Sequence, residues 1–159
     1  MTDDKSMTPE KTMELFDSTL NDFSQAIGSY PDERLAALTD NEIEAIVEQF
    51  VTDTAEDAGR LGVPWTEHNQ PSFLRAGLMV ICHNARTTAK IEAVENEVLD
   101  EVHLNVEVLL GERTSRRMIA ERYAQQAAAI AATRGLPWTE KHSNFVRIGV
   151  LISLACHSM

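Results

Sequence analysis

An all-α fold is what this sequence predicts: a helical bundle of about six to seven helices, built on a duplicated helix-turn-helix hairpin. Three observations lead there. Residues 46–67 align without a gap on residues 119–140, with nine identities at a constant offset of 73 that include Gly62/Gly135 and the whole Pro-Trp-Thr-Glu run at 64–67 and 137–140. Apolar residues recur three and four apart over most of the chain, the period of a helix with one buried face. Each copy also closes its helical stretch with glycine and then proline, residues that end helices. The 159 residues fit a single domain able to bury its own core. The repeat divides it into related parts at about 39–85 and 112–159.

Residues 1–8 are polar and expected to be disordered, and Thr8-Pro9-Glu10 supplies a cap, a first-turn proline and an acid at the positive end of a helix dipole. Met13, Phe16, Leu20, Phe23 and Ile27 then form one apolar stripe, which Gly28 is placed to end. A short turn of helix is expected over Pro31–Leu38. The capping box Thr39-Asp40-Asn41-Glu42 starts the next helix, which runs to about Leu61 with Ile43, Ile46, Val47, Phe50 and Ala58 inward. Pro71 opens a nearly apolar helix carrying Phe73, Leu74, Gly77, Val80 and Ile81, and beyond His83 the pattern turns amphipathic, with Ile91, Val94 and Val98 on one side.

The segment 99–110 reads two ways. Val102, Leu104, Val106 and Val108 alternate with polar residues as a strand would, yet Leu99, Val102, Val106 and Leu109 make a helical stripe. A lone strand has nothing here to pair with, so helix is expected, ending at Gly111. A further helix should cover roughly Arg113–Arg134 with Met118, Ile119, Tyr123, Ala127 and Ile130 inward. A last one should place Trp138, Phe145, Ile148 and Ile152 on one side.

The chain carries a formal net charge of −11, and residues 1–60 account for all of it, since residues 61–159 hold equal numbers of acids and bases. An acidic face of that kind argues against nucleic acid and anionic membrane as partners. Two cysteines, Cys82 and Cys156, fit a reducing compartment, and a cytoplasmic location is expected. The longest nearly apolar run, Ile148–Cys156, is about half the ~20 residues that a spanning helix needs.

Two repeated motifs invite a chemical reading. In Gly-x-Pro-Trp-Thr-Glu the glycine suits a left-handed helix end, proline forbids continuation, tryptophan fills the space between two helices, and threonine and glutamate can cap the next. The functional alternative places Trp65, Trp138, Glu67 and Glu140 around one pocket. In Phe-x-Arg-x-Gly, found at 73–77 and 145–149, an arginine among apolar neighbours wants a carboxylate, and Glu48 or Glu67 could serve Arg75 as Glu121 or Glu140 could serve Arg147. The alternative is that Arg75 and Arg147 grip a small anionic ligand with their planar forks.

Enzyme and metal signatures are absent from the sequence. Cys82-His83 and Cys156-His157 fall on different helical faces relative to Arg75 and Arg147, adjacent helical residues diverge too far to chelate one ion, and no zinc spacing occurs. Cys156-His-Ser-Met has the length of a prenylation box without its aliphatic pair. There is no glycine-rich phosphate loop, nucleophile elbow or Glu-x-x-His pair, so neither cofactor nor catalysis is expected.

A basic patch, Arg113, Arg116 and Arg117 with Arg122 a turn on, opposes a helix dipole and calls for an anion. The acidic first third of this chain, or of a second copy, is the expected one. The sequence therefore points to a non-catalytic module that binds another protein or itself. A small-anion binder and an acidic inhibitor mimicking nucleic-acid charge stand as alternatives. Homo-oligomerisation is expected because the apolar last helix would otherwise face water.

Overall fold

A computed structural model describes residues 31–62 and 89–157, together with Glu14, Asp17 and Ser18. The described residues form five α-helices: α1 (Asp32–Ala36), α2 (Asp40–Leu61), α3 (Ala89–Gly111), α4 (Arg116–Thr133) and α5 (Glu140–His157). The expectations for residues 1–13 and 19–30, for the first Pro-Trp-Thr-Glu run, for Phe73–Gly77 and for Cys82-His83 lie outside the described residues.

Helix α2 has the bounds that its end signals dictate. The Thr39 hydroxyl accepts from the Glu42 N–H at 3.2 Å and the Glu42 carboxylate accepts from the Thr39 N–H at 3.0 Å, which completes the capping box. At the other end Gly62 sits at φ 71°, a left-handed conformation that costs glycine nothing. Helix α4 ends in the same way at Gly135, φ 68°. There the Leu136 N–H reaches the Ala131 carbonyl at 2.9 Å and the Gly135 N–H reaches that of Ala132 at 3.1 Å, a Schellman ending whose Leu136 packs on the core.

Helices α2 and α4 share five buried positions at the offset of 73, while Ile43 and Ile119 are each buried in one of the two helices alone. Val47, Phe50, Val51, Thr54 and Ala58 are buried in α2, and Ala120, Tyr123, Ala124, Ala127 and Ala131, each 73 further on, are buried in α4. Thr54 meets the cost of a buried hydroxyl by donating to the Phe50 carbonyl at 2.9 Å.

Segment 99–110 is helical, part of one helix from Ala89 to Gly111 whose buried face is Ile91, Val94, Val98, Leu99, Val102, Val106 and Leu109. Its strand-like alternation comes from Leu104 and Val108, which are 82% and 68% exposed on the far side. Two expectations need correction. Helix α4 begins at Arg116 rather than Arg113, and Met118 is 63% exposed instead of inward, because the buried stripe of α4 runs through Ile119, Tyr123 and Ala127 and leaves Met118 to one side. The Ser115 hydroxyl caps α4, accepting from the Met118 N–H at 3.2 Å, and the first turn holds no acid to help it. Ser115→Ala should therefore cost ~1 kcal/mol of stability in urea unfolding; an unchanged midpoint would show that the cap contributes nothing.

Helix α5 is the centre. It packs against α1, α2, α3 and α4, and every residue from Lys141 to Leu154 except the half-buried Arg147 is buried, with Leu99 packed against Gly149. Its apolar run does not face water, so the exposed terminal helix that motivated homo-oligomerisation is instead covered by the chain itself. No helix among the described residues is long and apolar enough to cross a membrane.

Candidate functional site

One cluster of polar groups lies at the start of α5. Trp138 precedes the helix rather than lying on it, because α5 begins only at Glu140, with the Thr139 carbonyl accepting from the His142 and Ser143 N–H groups at 3.0 and 3.3 Å. The indole folds back over this first turn. Its Nε1 donates to the Ser143 hydroxyl at 2.8 Å, and its ring centroid lies 5.2 Å from that of His142.

Glu140, Asn144 and Arg147 follow at helical spacing on one side. Arg147 donates through one terminal nitrogen to Glu140 Oε1 and Asn144 Oδ1, both at 2.6 Å, and through the other to Glu121 Oε2 and Oε1 at 2.8 and 3.2 Å. The Asn144 amide also donates to the Leu35 carbonyl at 2.5 Å, so the cluster ties α1 and α4 to α5. Burial alone would lower the basicity of Arg147, but the hydrogen bonds and charges of Glu121 and Glu140 outweigh it and raise the pKa. Both glutamates named from the repeat as partners of Arg147 are its partners. Trp65, Glu67 and Arg75 lie outside the described residues.

Sequence reasoning missed one buried pair. Glu95 and His142 are 1% and 4% exposed, and His142 Nδ1 lies 3.8 Å from Glu95 Oε2 between α3 and α5. The signal was an acid inside the Ile91, Val94, Val98 stripe, where a carboxylate demands a polar partner.

The basic patch meets acids of its own chain. Arg117 forks onto Glu44 at 2.8 and 2.9 Å, with Asn41 Oδ1 at 2.9 Å and Asp40 at 4.0 Å. Glu44 and Arg117 are themselves equivalent positions, 73 apart. Arg122 forks onto Glu112 at 2.9 and 3.3 Å, and Arg134 onto Glu97 at 2.5 and 3.0 Å. Arg116 lines a groove between α2 and α5, and Arg113 is exposed in the turn before α4.

These pairs set a pH dependence. Hydrogen bonds from Arg117, Arg134 and Arg122 hold Glu44, Glu97 and Glu112 below the ordinary carboxylate value of 4.5, as the Thr39 N–H and then Arg34 do for Glu42. A depressed carboxylate contributes stability that is complete above its unfolded pKa and is lost as pH falls through its folded one. The melting temperature should hold down to about pH 4.5 and then drop, and molar salt should flatten the drop because the pairs are exposed. A midpoint independent of pH and salt down to about pH 3 would show that they contribute nothing.

Two hollows flank the Arg117–Glu44 bridge. The larger, about 400 Å³, is lined by Val47, Val51, Leu151 and Ala155 with Glu44, Glu48, Thr52 and Arg116 at its edges. The smaller, about 190 Å³, reaches Arg147, Glu121 and Met118. No set of three or more metal-ligating side chains occurs among the described residues. No family model, curated protein or solved structure matches this chain.

Proposed function

We propose that the protein is a non-catalytic, cytoplasmic module that acts by binding another protein, a second copy of itself included, and that its two hairpins are copies of one unit. The shared burial pattern of α2 and α4 and their identical glycine endings support the duplication. One observation carries the functional reading. The arginines singled out as anion binders are satisfied within the chain where their contacts are described, and no metal-ligating cluster lies among the described residues.

A small anionic ligand held by Arg147 is the weaker reading. The hydrogens on both its terminal nitrogens already face Glu121, Glu140 and Asn144, and only Nε is left to offer. Nucleic-acid phosphate is disfavoured for the same reason, since Arg117 and Arg122 lie against Glu44 and Glu112. The native mass of the protein in extract of its own cells tests the proposal. A stable assembly above 17.7 kDa is expected, and a lone monomer across dilution and salt would overturn it.

A further inference from the structure

We draw no further inference here: the strongest candidate, the exposed aliphatic patch that Leu104 and Val108 form one turn apart on the outer face of α3, is an unpartnered apolar face, and nothing in the structure shows what covers it.

Discussion

Leucine in place of Gly149 is expected to destabilise the protein by about 3 kcal/mol, a large part of the stability of a domain this size. A Cβ built on Gly149 would lie 2.8 and 3.0 Å from the two methyl carbons of Leu99, closer than packed carbons approach. Leu99 is 2% exposed, so its methyl groups can shift slightly but cannot clear space for a whole side chain. Alanine at 149 gains ~1 kcal/mol of helix propensity over glycine and should come out near neutral once Leu99 shifts. A leucine cannot be absorbed in that way. The decisive measurement is the double variant Gly149→Leu with Leu99→Ala, which moves the bulk from α3 to α5. It should be more stable than the sum of the two single changes predicts by ~2 kcal/mol in urea unfolding, and strict additivity would show that the two residues do not compete for the same space. The glycine of Phe-x-Arg-x-Gly is thus a packing residue that lets α3 come close to α5.

Arg147→Met should cost ~2 kcal/mol, less than the loss of a fully buried pair, because Glu121 and Glu140 are about half exposed and regain water when the guanidinium leaves. Arg147 itself is only 16% exposed and is the one group that joins Glu121 of α4 to Glu140 and Asn144 of α5. Arg147→Lys should recover less than half of the loss, since a single ammonium cannot reach both carboxylates and the amide from one position. Glu121→Gln and Glu140→Gln should each cost under ~1 kcal/mol. Full stability in Arg147→Met would mean that the cluster is held for a ligand rather than for the fold.

How far these features were legible depends on how local their causes are. The ends of α2 were legible because Thr39 and Glu42 at one end and Gly62 at the other each act within a single turn of the chain. The start of α4 was placed three residues early because Ser115 has no acid at the third position to complete a capping box, and Arg113 and Thr114 do nothing to exclude a helix. The partners of Arg147 were legible through the repeat, which fixed Glu121 and Glu140 as the acids within reach. The Glu95–His142 pair was not, since it depends on how α3 lies against α5, and no spacing within either helix encodes that. The same gap explains the last helix. Its sequence shows that it is apolar nearly all round, but the number of neighbours around it is a property of the assembled bundle.

The central position of α5 also governs how the molecule opens. Every other described helix packs against α5, and a helix enclosed in this way cannot expose its peptide groups while its neighbours keep theirs. Amide protons from Phe145 to Leu154 should exchange with solvent deuterium only through complete unfolding, and their rates should report the global stability. Those near Leu104 and Val108, on the outer face of α3, should exchange faster through smaller openings.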